Sequence, residues 1–216
     1  MKIDFFSHDI DGKSVIMVVD QHDVRFFGFV KANKALTPEN KKIAEIFLNM
    51  LFQTWTENFE KFAKIKCDAE FRYESLKGLK IKAYRLMYKQ AIAPEKMRMS
   101  ITAVCVVPKK KKSFWLNTGS EMVYSSEKGE KVLNISSDKK MLNTFEKQNL
   151  FSTDRNYPEN AEGMVVDKPK AFWIVSSEAK SVFESDMEKD TIKKEEFFAF
   201  SSGKSLPLII GKVKAD

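Results

Sequence analysis

The sequence predicts an α+β architecture in which antiparallel sheets carry helices on an outer face. Three observations carry this. β-branched runs stand near the start, hydrophobic residues switch to three- and four-residue steps after Thr37, and short strands separated by turn residues return after Ser100. No internal repeat and no linker rich in Gly, Ser or Pro divides the chain, so residues 1–216 read as a single domain.

In chain order, Ser14 to Val19 and Val24 to Val30 read as strands, the first buried on two faces because its apolar residues do not alternate with polar ones. Thr37 before Pro38 is a helix N-cap with proline at the first helical position. Ile43, Ile46, Phe47, Met50, Leu51, Trp55, Phe59 and Phe62 then recur at helical spacing. The pattern predicts one helix from about Pro38 to Lys64, roughly 40 Å long. A second helix is expected over about Ala69 to Ala91, with Phe71, Leu76, Leu79, Tyr84 and Met87 inward and Gly78 as its weak point.

Beyond it, Ser100 to Val107 and Ser113 to Asn117 flank a proline and a run of lysines, and Met122 to Ser125 and Lys131 to Ile135 flank a turn-rich segment. Both pairs predict antiparallel hairpins. Ala171 to Val175 reads as a strand, Ala179 to Lys189 as a helix and Leu206 to Val213 as a closing strand. Pro207 has no amide hydrogen to donate, which predicts an edge position or a bulge near the start of that strand.

Composition narrows the function classes. With 43% hydrophobic and 31% charged residues the chain is globular, and its length supports a core without a disulfide or metal staple. The net charge is +7, yet only five of the 37 basic residues are Arg, which disfavours a nucleic-acid partner. Two cysteines without a C-x-x-C pair and two histidines exclude zinc chemistry of the Cys/His kind, and Cys105 reads as a small buried hydrophobe. No apolar run approaches the roughly 20 residues of a membrane span. Asp4 and Asp9 interrupt the start before any signal-type core, so a cytoplasmic location is expected.

Few residues offer chemistry by themselves. Lys109, Lys110, Lys111 and Lys112 form either an anion-binding cluster or a solvated hairpin tip. Gly203-Lys204-Ser205 echoes the end of a phosphate-binding loop, but Phe198 stands where that motif needs its first glycine. Asp20 ends an apolar strand, where a carboxylate either holds a hard metal ion or caps turn amides.

Several segments resemble, in order, the motifs of the metal-dependent protein phosphatases of the 2C family. Asp4 is similar to an early aspartate of that family, and Val18-Val19-Asp20-Gln21-His22-Asp23 to its V-A-D-G-H-G motif. Ser100 to Val106 resembles the G-T-T-A-V strand, and Phe114 to Tyr124 resembles the strand ending in G-D-S-R and a tyrosine, with Ser120 at the aspartate. Ile135 to Lys139 resembles L-T-x-D-H, Ala171 to Ala179 resembles the strand that ends in S-D-G, and Gly203 to Ile210 resembles the terminal D-N-x-T strand. The resemblance implies an antiparallel β-sandwich flanked by helices. It also implies a centre in which carboxylates hold two Mg²⁺ or Mn²⁺ ions and a bridging water attacks a phosphoserine or phosphothreonine.

Under that resemblance Asp4, Asp20 and Glu178 are the candidate metal ligands. Gln21, Ser120 and Lys204 are positions where the pattern is broken: a lost glycine, a lost aspartate and a carboxylate replaced by an ammonium. No early arginine is present to hold phosphate, and Lys2 is the nearest substitute. A carboxylate-to-ammonium swap turns attraction for a metal ion into repulsion worth several kcal/mol in a partly buried site. The leading expectation is a catalytically impaired, phosphatase-like binding or regulatory module with no cofactor and a protein or phosphoprotein partner. In it, Lys204 bridges to Asp20 or Glu178 in place of the ions. The alternatives are an active Mn²⁺- or Mg²⁺-dependent serine/threonine phosphatase with an altered centre, and a basic protein that binds an anionic partner. The loop-rich stretch after Asn143, through Asn149 to Pro158, where the family carries a variable flap, is the first candidate interaction surface.

Overall fold

The computed structural model describes residues 2–9, 11–90, 99–126, 133–136, 161–168, 171–186 and 207–215. Side chains of residues 80, 82–84, 86–90, 182, 185 and 186 are outside this description. The strands are β1 (Ile3–His8), β2 (Ser14–Asp20), β3 (Arg25–Ala32), β4 (Met99–Val107), β5 (Lys112–Asn117), β6 (Met122–Ser126), β7 (Leu133–Asn134), β8 (Glu162–Asp167), β9 (Ala171–Val175) and β10 (Leu208–Lys214). The α-helices are α1 (Pro38–Glu57), α2 (Phe59–Phe62), α3 (Asp68–Gln90) and α4 (Lys180–Asp186). Among the described residues the strands form two five-stranded sheets, ordered β1-β10-β9-β6-β7 and β2-β3-β4-β5-β8, with every pairing antiparallel. The α+β prediction is met.

Alternation along each strand decides the layers. On β3, Phe27 and Phe29 turn toward the other sheet and meet Ile3, Ile174, Ile209 and Val213, while Phe26 and Val30 turn toward the helices. The second sheet is thus covered on both faces, and β3 is buried along its whole length. The first sheet carries α4 on its outer face, where Phe183 and Ala179 meet Tyr124 and Ile210.

The predicted helix from Pro38 to Lys64 is interrupted. Thr37 caps α1 by accepting from the Asn40 amide at 3.3 Å, but the helix ends at Asn58, whose side chain donates to the Thr54 carbonyl at 3.2 Å. The break at φ −107°, ψ 29° redirects α2, so that Phe59 and Phe62 both reach the Phe114 ring, at 5.6 and 6.2 Å. Trp55 lies between Phe71 and Phe114, each 5.9 Å away, and its indole N–H donates to Ser75 Oγ at 2.9 Å. A buried indole finds its polar partner within the helix pair. α3 runs through Gly78, and Phe71, Leu76 and Leu79 are buried as expected.

Two strand expectations are corrected. β2 is an edge strand, half-buried to exposed, because no strand pairs with its outer side among the described residues. β10 is interior, between β1 and β9; Pro207 precedes the strand and so interrupts no ladder bond. Cys105 is buried as expected, and burial pushes its thiol far above the usual range.

Gly211, on the inward face of β10, sets the distance between the sheets. A Cβ there would stand 2.2 Å from Phe27 Cε1, so the ring occupies the space a side chain would need. Gly211→Ala is expected to lower stability by about 1–3 kcal/mol, the usual cost of overpacking, as read by urea unfolding.

Candidate functional site

The inward stripe of β3 runs Phe27, Phe29, Lys31, and its third member closes one end of the inter-sheet core with an ammonium. The Lys31 side chain is 0% exposed. Its Nζ donates to Glu121 Oε1 at 2.9 Å, to Glu178 Oε1 and Oε2 at 2.8 and 2.7 Å, and to Ser177 Oγ at 3.3 Å. Glu121 lies just before β6 and Glu178 just after β9, so both carboxylates come from the opposite sheet.

Local hydrogen bonds hold these carboxylates in place. Asn117 Nδ2 donates to the Glu121 carbonyl at 2.6 Å, while Asn117 Oδ1 accepts from the Gly119 amide at 2.9 Å and from Thr102 Oγ1 at 3.0 Å. Glu121 Oε2 accepts from the Ser177 amide at 2.7 Å, which ties the two loops together directly. Ser176 anchors the second loop: its Oγ accepts from the Ile209 amide at 3.0 Å, and its own amide donates to the Ile209 carbonyl at 2.8 Å. Ser120 and Ser177 place their hydroxyls 3.4 Å apart.

The electrostatics follow from one positive charge shared by two negative ones. Burial works against the charged form of Lys31, but the Glu121 and Glu178 carboxylates outweigh it and hold the ammonium above its ordinary value of 10.5. Burial raises the Glu121 carboxyl above its ordinary value, against the pull of Lys31, and the neighbouring Glu178 charge adds to the rise.

The structure brings some of the sequence candidates together and separates others. Ser120 and Glu178 are at this site. Asp20 and Gln21 are not: Asp20 pairs in register with Arg25, six residues along β3 from Lys31, which is about 20 Å at the usual strand rise. There Asp20 accepts from the Lys2 amide at 2.9 Å and stands 3.9 Å from Arg25 Nε, while the Gln21 amide closes a turn onto the Val24 carbonyl. Asp4 is half-exposed on β1, 3.7 Å from Lys214 Nζ. Asp4, Asp20 and Glu178, the candidate ligands of one or two ions, are thus not brought together, because strand geometry holds Asp20 at the opposite end of its ladder from Lys31 and Glu178. Lys204, residues 149–158 and residues 137–139 of the L-T-x-D-H resemblance lie outside the described residues. The bridge to Glu178 expected of Lys204 is made by Lys31.

Three of the four lysines in the run have carboxylate partners. Lys109 pairs with Asp23 at 2.6 Å, Lys110 with Glu60 at 3.4 Å, and Lys112 with Asp167. Those carboxylates come from three different elements around the β4–β5 turn.

Lys31 and Glu121 are the residues that sequence reasoning missed. The signal for Lys31 was a lysine two residues beyond Phe29, in phase with Phe27 and Phe29 at the end of an apolar strand. Glu121 stood one residue beyond the broken position Ser120.

With Lys31 in place the site does not fit the divalent ions that the resemblance implies. The carboxylates of the two loops are engaged by an ammonium that already supplies the positive charge. Among the described residues no group of three or more His, Cys, Asp or Glu side chains is placed to hold a metal ion.

No protein-family model and no curated protein sequence matches the chain. Solved structures do. The Streptococcus agalactiae serine/threonine phosphatase superposes with a TM-score of 0.64 at 11% identity, over 99% of each chain. A bacterial serine phosphatase gives 0.60 at 12% identity, over 100% of this chain and 98% of the other. The phosphatase domain of SpoIIE, a cell fate determinant of Bacillus subtilis, gives 0.59 at 7% identity, over 98% and 91%. The fold is thus that of the phosphatase 2C-like serine/threonine phosphatases, and the likeness runs through the whole chain rather than through one motif.

Glu121→Ala is expected to cost about 3–5 kcal/mol in chemical unfolding, because it removes a partner from a buried ammonium. The alkaline limb tests the charge state. A raised lysine contributes stability below its ordinary value and loses it as pH rises through the folded value. Relative to the K31M/E121Q/E178Q variant, in which the site titrates nothing, the wild type should lose stability above about pH 10, as read by urea unfolding at several pH values.

Proposed function

We propose that this chain is a phosphatase-like domain without metal-dependent hydrolysis, a regulatory module that works by binding a protein or phosphoprotein partner. One observation carries the reading: the Lys31 ammonium lies between carboxylates of the two loops that resemble G-D-S-R and S-D-G. Hard divalent ions bind through oxygen, and here the oxygens of both loops face a cation that is part of the chain. A fixed ammonium repels a second cation at the same point and, unlike a metal ion, does not bring the pKa of water near neutrality for attack on phosphorus.

The binding half of the reading rests on the fold. The chain keeps the full two-sheet scaffold, and one of the solved structures it superposes on is the phosphatase domain of a cell fate determinant, a regulatory setting. Among the described residues no helix is long and apolar enough to cross a membrane, and Lys109, Lys110 and Lys112 already pair with carboxylates of this chain, which weakens the case for that run as an anion-binding surface.

Titration of the purified protein with Mn²⁺ in a calorimeter, alongside hydrolysis of a generic phosphomonoester with Mn²⁺ or Mg²⁺, tests this. The expected result is no saturable heat up to millimolar Mn²⁺ and no turnover above the protein-free rate. Micromolar binding together with hydrolysis, both lost in Glu178→Ala, would defeat it.

A further inference from the structure

We infer that Lys31 is the single residue that closes this site to divalent cations, and that the cradle around its ammonium accepts one once the ammonium is removed. The inference rests on the reading above and concerns what the rest of the site is built to hold. Four oxygens converge on the Lys31 Nζ: Glu121 Oε1, both Glu178 oxygens and Ser177 Oγ, at 2.7 to 3.3 Å. A bidentate carboxylate, a monodentate carboxylate and a hydroxyl are a hard, oxygen-only set of the kind Ca²⁺ and Mn²⁺ take.

The supporting contacts outlast the ammonium. The second oxygen of Glu121 is held by the Ser177 amide, the Glu121 backbone by Asn117, and the loop before Glu178 by the Ser176 bonds to Ile209. None of these bonds involves the Lys31 side chain, so the Glu121 carboxylate and the backbones of both loops stay held when it is truncated, with the Glu178 carboxylate left to turn onto an ion. Truncation leaves two carboxylates, one of them 1% exposed, with their compensating charge gone. Calcium–oxygen bonds run about 2.3–2.6 Å, so the carboxylate oxygens need to close by a few tenths of an ångström and the Ser177 hydroxyl by up to about 1 Å; Mg²⁺ needs about 2.0–2.1 Å in near-ideal octahedral geometry and fits worse. The order expected is Ca²⁺ or Mn²⁺ above Mg²⁺.

The test compares wild type, Lys31→Ala, Lys31→Met and K31A/E121Q/E178Q by thermal unfolding and circular dichroism with CaCl₂, MnCl₂ or MgCl₂. Wild type is expected to show no change in Tm up to millimolar salt beyond that given by NaCl at equal ionic strength. Lys31→Ala is expected to melt lower and to recover saturably with Ca²⁺ or Mn²⁺, with at least a tenfold weaker response to Mg²⁺. If truncation leaves it unfolded, ion-dependent refolding is the expected form of the same result. Lys31→Met keeps the apolar stem and should respond in the same direction, whereas the triple variant should not. Indifference of both single variants to Ca²⁺ and Mn²⁺, folded or unfolded, overturns the inference and leaves the metal-free reading standing. A saturable response in the wild type, lost in Glu178→Ala, overturns that reading instead.

Discussion

A single ammonium joins the open ends of the two sheets. Lys31 reaches from β3 to carboxylates on loops of the opposite sheet, and three charges are thereby removed from water. Burying them costs several kcal/mol per ion, which their mutual attraction offsets only when geometry and hydrogen bonding are complete. That condition explains the polar network nearby: Asn117, Thr102, Ser176 and the Ser177 amide hold the acceptors where one amine can satisfy them. A pair of this kind is weak as a source of stability and strong as a specification of alignment, since a slip of β3 by one residue would turn Lys31 out of the core and leave Glu121 without its cation.

The remaining layers place Lys31 where it is. The helices cover the outer face of the second sheet through Trp55, Phe71 and Phe114, and the break at Asn58 lets α2 complete that aromatic cluster. With both faces covered, β3 becomes a wholly buried strand, and a lysine on it has no water to reach. At the other end of the same ladder Arg25 donates to the Lys214 carbonyl at 2.7 Å, so the outermost residues of β3 and β10 are also joined by a polar contact. Apolar packing fills the middle of the sandwich, and cations on one strand tie down both of its ends.

The fold was legible in the sequence because the hydrophobic period changes twice, and that change depends on local residues alone. The capped start at Thr37, the inward residues of α3 and the β4–β5 hairpin followed from it. The places of β2 and β10 did not, because an unbroken apolar run reads the same at the edge of a sheet as in its middle, and only partners distant in the chain decide between them. For the site, motif resemblance found the loops bearing Ser120 and Glu178 but set Asp20 among them, since the match to V-A-D-G-H-G fell on β2 while the strand that enters the site is β3. Lys31 escaped notice because a lysine is ordinarily a surface residue, and its burial depends on acceptors 90 and 147 positions away.

The central position of β10 bears on how the chain is made. β1 pairs with β10 in the register Ile3 to Val213, so the first strand waits for a partner until the last one has been synthesised. β2, β3, β4 and β5 with α1 and α3 draw on much nearer contacts and are available to assemble earlier on the ribosome. Val123, Phe172 and Ile174 of β6 and β9, with Glu121 and Glu178 for the ammonium, can cover part of the inner face of the second sheet earlier, but the part that meets Ile209 and Val213 stays open until β10 has been made.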